Sequence, residues 1–212
     1  MTKLIIIRHG ESEFNLSERY TGQLDVPLTE TGVRQAKITA DYILKNYKID
    51  AVYSSDLSRA VETARPVAAP LGIEIKTDKG LREIYAGKWE GLYFTQVHEI
   101  YAEDYALYKK DSSVGRPTGG EYLCEVMARV DKSIRTIAEE NDGKTVLISM
   151  HNGSIKALQM AVLGFDRSNV MNLANNSITE IDFEDGIFKP IRLGFDEHLG
   201  NLSTTATEVT AN

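Results

Sequence analysis

A single cysteine, Cys124, stands in the whole chain, so a disulfide framework and a cysteine-based metal site are both excluded. Positive charge is also short: 24 Lys and Arg against 31 Asp and Glu leave a net charge of -7, which provides no footprint for nucleic acid or an anionic membrane. No apolar run approaches the roughly 18 residues of a membrane span, and the one near the start is too short for a signal-peptide core. These absences lead to the expectation of a cytoplasmic protein with no membrane and no nucleic-acid partner. Asn-x-Ser sequences, among them those starting at Asn15, Asn175 and Asn201, carry no glycosylation meaning in that setting. Internal repeats and linkers are lacking too, and nothing specifies an oligomeric state. The fingerprints G-x-x-x-x-G-K-[ST] and G-x-G-x-x-G after a strand are missing, as are a His-Glu-x-x-His pair and an Asp cluster. Nucleotide cradles and resident metals therefore lose their usual signatures, and neither a cofactor nor a metal is expected.

What is present is a strong alternation of strands and helices in 212 residues, enough for one sizeable core. Leu4-Ile5-Ile6-Ile7 is a short, fully apolar run, the pattern of a strand buried on both faces. Apolar residues three and four apart predict a helix over 29–48, capped by Thr29. A strand is expected at 50–54, then a helix that Pro66 should kink or end early. A short strand at 73–76 precedes a helix over 94–110 with Tyr101, Tyr105 and Tyr108 at helical spacing, either a packed face or a wall for a ring-bearing group. Residues 112–120 form a loop, 121–141 an amphipathic helix, 144–149 a second strongly apolar strand, and 152–163 another helix. Ile178–Phe183 and 187–193 flank Glu184-Asp185-Gly186, a hairpin signal. The expectation is a three-layer α/β/α domain over residues 1–200, its mixed sheet mostly parallel with an antiparallel edge, and a tail from 201 to 212 without structure.

The chemistry concentrates where apolar strands end. The first delivers Arg8 and His9, the second leads to Arg59, and the late one delivers His151. In open α/β sheets ligands bind outside the carboxyl ends of the strands. If these strands are parallel, two arginines and two histidines meet at one rim of an acidic protein, which is unfavourable without an anion to join them. A phosphate group matches the arginine fork, with backbone amides as further donors. Zinc on the two histidines is disfavoured because the arginines would repel a dication. Gly10 is expected to give the sharp turn that leaves His9 facing the crevice.

Longer stretches sharpen this picture. They are L-I-I-I-R-H-G-E-S-E-F-N from Leu4 to Asn15, Thr21-Gly22-Gln23-Leu24-Asp25-Val26-Pro27-Leu28-Thr29, and Val52-Tyr53-Ser54-Ser55-Asp56-Leu57-Ser58-Arg59-Ala60 with Thr63-Ala64. Leu81-Arg82-Glu83-Ile84 with Trp89-Glu90-Gly91, Pro117-Thr118-Gly119-Gly120-Glu121, and His151 complete the set. In this order they resemble the histidine phosphatase superfamily, which includes the cofactor-dependent phosphoglycerate mutases, over about residues 3 to 195.

The resemblance implies that His9 is a nucleophile forming a phosphohistidine, with Arg8, Arg59 and His151 holding the phosphoryl oxygens. Glu83 would protonate the leaving oxygen and then activate water, a role served by partial burial of its carboxyl. Asn15 matches a phosphate-contacting residue, Thr21, Gly22 and Gln23 a loop lining the substrate side, and Asn152 a phosphate-binding backbone amide. Without the resemblance, Glu83 reads as a surface residue paired with Arg82. The run His151-Asn152-Gly153-Ser154 departs from the family's His-Gly-Gly by bringing a side chain to the pocket rim, and Tyr122 stands where Ser usually follows Gly-Gly-Glu. The implied activity is metal-independent hydrolysis of a small phosphorylated metabolite. A phosphoglycerate mutase is the alternative, disfavoured because only Lys109, Lys110 and Arg116 lie between Gly91 and Gly119 to meet a substrate carboxylate. A non-catalytic phospholigand-binding protein is the second alternative.

Overall fold

A computed structural model describes residues 1–112 and 114–204. Six strands form one sheet in the order β3-β2-β4-β1-β5-β6. They are β1 (Thr2–Arg8), β2 (Ala51–Ser54), β3 (Ile75–Thr77), β4 (Thr145–Met150), β5 (Ile178–Glu184) and β6 (Ile187–Phe195). β1, β2 and β3 run parallel to their neighbours on the β4 side, with Ile6 opposite Ile148 and Tyr53 opposite Ile148 from the other flank. β5 and β6 add the antiparallel edge. Their link, Asp185-Gly186, has positive φ at both residues (52° and 77°), the mirror-image turn whose twist suits a two-residue hairpin.

The apolar run of β1 divides by parity between two helical layers. Leu4 and Ile6 pack with Val126, Val130 and Ile134 of α6 (Leu123–Glu140) and Leu158 of α7 (Asn152–Ala161). Ile5 and Ile7 pack with Ala40 and Ile43 of α2 (Glu30–Asn46) and Ala64 and Val67 of α3 (Ser58–Leu71). All four β1 residues are completely buried, which is why the run is apolar at every position rather than at alternate ones. The remaining helices are short: α1 (Glu13–Leu16), α4 (Phe94–Ile100) and α5 (Ala102–Lys110). Among the described residues, no helix is long and apolar enough to cross a membrane.

Four expectations need correction. α3 runs through Pro66 and on past Pro70 without ending. Both prolines lie on its outward side, where the carbonyls they leave without a helical partner can bond water, while Ala64, Val67 and Ala68 keep the inner stripe intact. β3 starts at Ile75, because Gly72 closes α3 with φ 66° and the Ile73 amide bonds back to the Ala68 carbonyl at 3.1 Å. The expected helix over 94–110 breaks at Tyr101 (φ -120°, ψ 36°), which lets Val97 and the three tyrosines converge on buried Trp89. The chain from 201 to 204 is not loose: Gln35 Nε2 donates to the Leu202 carbonyl at 2.7 Å, and the Asn175 amide to that of Thr204 at 2.9 Å. The rest of the expected tail, 205–212, lies outside the described residues.

Gly32 in the first turn of α2 shows how tightly the loop after β1 is seated. A Cβ there would stand 2.1 Å from the Glu11 carbonyl oxygen. Alanine is worth about 1 kcal/mol over glycine inside a helix, but relieving such a clash with backbone costs about 1–3 kcal/mol. Gly32→Ala is therefore expected to lower stability in urea unfolding, whereas a gain would show that the loop yields freely.

Candidate active site

The rim formed by the carboxyl ends of β1, β2 and β4 carries a cavity of about 170 Å³. Arg8 is the last residue of β1, and the next amide, His9, donates to the Met150 carbonyl at the end of β4 at 2.9 Å. Arg59 sits in the first turn of α3, and His151 caps α7. All four are buried. The His9 and His151 rings lie 5.0 Å apart between centroids, with His151 the deeper.

Each arginine is aimed by neutral acceptors. Arg8 Nη1 donates to the Leu173 carbonyl, and Arg59 donates through Nη1 to that of Leu24 and through Nη2 to that of Gly22, both at 2.8 Å. Arg8 Nε, Arg59 Nε and both ring nitrogens of His151 are buried without a hydrogen-bond partner. Unpaired buried donors are costly, and so many in one corner point to an anionic guest. Burial and mutual repulsion push Arg8 down to about 10, and burial pushes Arg59 to about 10, so both remain cationic at neutral pH.

His9 is held in one tautomer. Its Nδ1 lies 2.7 Å from the Gly10 carbonyl oxygen, which can only accept, so Nδ1 carries the proton and Nε2 keeps the lone pair. Burial, reinforced by Arg59 and Arg8, holds the imidazole well below the usual histidine range. Burial, with Arg59 and His9 adding to it, does the same for His151. Gly10 has no positive φ, and it is required there because a Cβ would come within 2.6 Å of the Gly32 carbonyl oxygen and 2.8 Å of Asn176 Nδ2.

Glu83 lines the cavity, and it does not pair with Arg82, whose guanidinium instead grips Asp56 through two bonds of 2.6 Å. The Glu83 carboxylate accepts from the amides of Ile84 (2.8 Å), Gly153 (3.0 Å) and Ser154 (3.2 Å), which fixes it at the N-terminus of α7. Gly153 is needed there, since a Cβ would stand 2.3 Å from Glu83 Oε1. Asn15 turns its carbonyl oxygen to Ser12 and Asn175, leaving its NH2 as the donor available to the cavity. Thr21 and Gly22 line the cavity as well. Gln23 does not: its side chain bridges the Glu83 carbonyl (3.0 Å) and Arg82 Nη1 (3.2 Å) behind the loop. The Asn152 side chain lines the rim and is tied outward, Nδ2 donating to Asn172 Oδ1 at 2.7 Å. Tyr122 makes no site contact; its ring stacks under Arg116 at 4.3 Å.

Three supports were not evident from the sequence. Arg129 of α6 donates to the carbonyls of Gly80, Arg82 and Glu83 and also to both carboxylate oxygens of Glu121, whose Oε2 accepts the Tyr85 amide as well. On an amphipathic helix it reads as a surface charge, and only its distance of eight residues from Glu121 hinted otherwise. Asn175 Nδ2 donates to the His9 carbonyl at 3.0 Å, and Glu90 Oε1 takes the amides of Gln23 and Ala86.

The model of the histidine phosphatase superfamily, branch 1, matches residues 4–195. The chain belongs to that family. Phosphoserine phosphatase 1 of Hydrogenobacter thermophilus is 32% identical over 208 residues, covering 97% of this chain and 98% of the relative. Phosphoglycerate mutase-like protein 4 of Arabidopsis thaliana is 33% identical over 186 residues, 87% of this chain and 80% of that protein. The solved structure of Bacillus stearothermophilus YhfR superposes with a TM-score of 0.88 at 29% identity, covering 94% of this chain and all (100%) of that one. Within the histidine phosphatase family this chain is a phosphomonoesterase.

The buried imidazoles set a pH dependence of stability. Unfolded histidines take up protons below about pH 6.5, while His9 and His151 in the ligand-free fold do not until the pH is well lower. The unfolded chain then binds more protons, so stability is full above that pH and falls beneath it, by up to about 1.4 kcal/mol per pH unit for each imidazole. Urea midpoints between pH 7.5 and 5.5 should show this slope, and His151→Gln should remove about a third to a half of it, because burial lowers His198 as well.

Proposed function

We propose that the chain hydrolyses a small phosphomonoester through a phosphohistidine on His9, without a metal ion. The observation that carries this is the neutral His9 imidazole, proton pinned on Nδ1 by Gly10, standing among cationic donors that lack partners. The phosphoryl group binds to Arg8, Arg59, His151 and the Asn15 amide, with the Asn152 backbone amide at the start of α7 adding to the set. The ester binds as its monoanion: Nε2 attacks phosphorus in line, the bond to the leaving oxygen breaks, and Glu83 relays the ester's own proton to that oxygen. Glu83 then takes a proton from water as the water attacks the phosphohistidine, releasing phosphate and restoring Nε2. The fixed arginines balance the charge on the equatorial oxygens at both steps.

Hydrolysis is favoured over mutase exchange by what the 91–119 stretch offers the cavity. Lys109 lines it, whereas Arg116 is turned to the Gly120 carbonyl and the Tyr122 ring. The phosphoserine phosphatase among the relatives makes an amino-acid or hydroxy-acid phosphate a sound first substrate to try. Cytoplasmic placement accords with the exposed, unpaired Cys124.

Replacing His9 with Ala should abolish turnover of an aryl phosphate. Activity within tenfold of wild type would rule out the covalent route and leave a phospholigand-binding protein with a contaminant. Glu83→Gln should cut kcat by about 10²–10⁴ for alkyl phosphates and far less for p-nitrophenyl phosphate, whose leaving group needs no proton. Equal losses on both would remove Glu83 from the acid role.

Among the described residues, no group of three or more His, Cys, Asp or Glu side chains is arranged to hold a metal ion. Activity should accordingly be unchanged after dialysis against EDTA, and a loss reversed by added divalent ions would contradict the mechanism.

A further inference from the structure

A second cavity, of about 210 Å³, adjoins the first. Ile84, Tyr108, Lys109, Gly153 and Lys156 line both. Two of these fix where the passage begins: Ile84 and Gly153 each donate a backbone amide to the Glu83 carboxylate, so the second chamber opens beside the group assigned to the leaving oxygen. One part of its lining is aliphatic, with Leu123 and Val126 from the start of α6, Met160 from the end of α7, and Val170 from the segment beyond, and the rest is polar, with Tyr108, Ser112, Lys109, Lys156 and Arg167. Arg167 is committed to the carbonyls of Tyr108 (3.1 Å) and Lys109 (2.9 Å), which pins that segment over the last turn of α5 and closes the chamber on that side.

From this arrangement we infer that the chamber is a leaving-group subsite, and that the enzyme is built for phosphomonoesters of an alcohol with an extended apolar body. The inference rests on the phosphomonoesterase reading, since it places the leaving oxygen at Glu83. Size supports it: an apolar protein cavity of about 150 Å³ accommodates a benzene ring, so this one holds a ring or a chain of about six carbons beyond the phosphoryl site. Lys109 and Lys156 at the passage disfavour a cationic alcohol. A compact substrate such as phosphoserine would leave the chamber unused.

Steady-state kinetics on ethyl, butyl, hexyl and octyl phosphate test this with the full chain. The value of kcat/KM should climb by up to about fourfold for each methylene that enters the chamber, the equivalent of about 0.8 kcal/mol, and then level off. Met160→Trp fills the chamber from a half-buried position and should flatten the series while ethyl phosphate turnover stays within twofold. Val170→Trp does so from the segment beyond α7 and serves if the first variant folds poorly. A flat series in the wild-type protein overturns the subsite, as does a rise that both variants leave intact. If ethyl phosphate hydrolysis survives His9→Ala, the covalent esterase mechanism itself fails instead.

Discussion

Everything in this structure answers to the cost of placing four cationizable groups in one buried corner. Arg8, Arg59, His9 and His151 would repel one another if all were charged, and burial penalises each. The fold resolves the conflict unevenly. The histidines yield their protons, and the arginines, which cannot, are aimed by the carbonyls of Leu173, Leu24 and Gly22 rather than neutralised by carboxylates. Neutral acceptors fix direction and leave charge unspent. An anion arriving there meets a preorganised field, and the imidazole it meets is already in the nucleophilic form. Glu83 is the carboxylate whose charge is felt by both arginines, and it is tied by amides to the N-terminus of α7 instead of joining either as an ion pair.

Holding that carboxylate apart from the arginines takes more structure than the arginines themselves. Arg129 gathers three carbonyls of the 80–83 stretch, Glu121 joins it to the Tyr85 amide, and Gln23 braces the same loop from behind. These groups come from α6, the loop before it and the loop after α1, elements far apart in sequence. A proton donor displaced by an ångström loses much of its effect, which accounts for a buttress of this size around a single glutamate.

The parts of the fold that could be read in advance are those governed by local periodicity. The runs Leu4–Ile7 of β1 and Val146–Ile148 of β4 are apolar at consecutive positions because both faces are covered, and Asp185-Gly186 announces its turn through backbone chemistry alone. Pro66 misled because a proline's effect depends on whether its side of the helix faces water, and Tyr101 because the pull of Trp89 breaks a helix that spacing alone would continue. The same divide runs through the site. Arg8, His9, Arg59 and His151 could be placed from strand ends and one topological rule. Glu83 needed the resemblance, since its position depends on a loop, and Gln23 needed the coordinates to show that it supports the site from behind. Arg129 and Asn175 act through backbone carbonyls, which leave no trace in residue type.

Asn152 shows why a departure from a family pattern has to be followed through its contacts. A side chain at this position looks like an intrusion into the phosphate pocket. In the fold its amide reaches away, to Asn172, and its oxygen accepts the Leu173 amide at 3.4 Å. Leu173 is the residue whose carbonyl aims Arg8, and two residues on, Asn175 bonds both the His9 carbonyl and Asn15. The substituted side chain therefore anchors the start of a strap, 172–175, that touches the phosphate clamp, the nucleophile's backbone and the flanking amide in turn. Glycine at 152 would leave the rim open but the strap held at one end fewer. The residue that breaks the pattern joins the N-terminus of α7, where Glu83 is seated, to the segment that orients Arg8, so the two halves of the site are mechanically one.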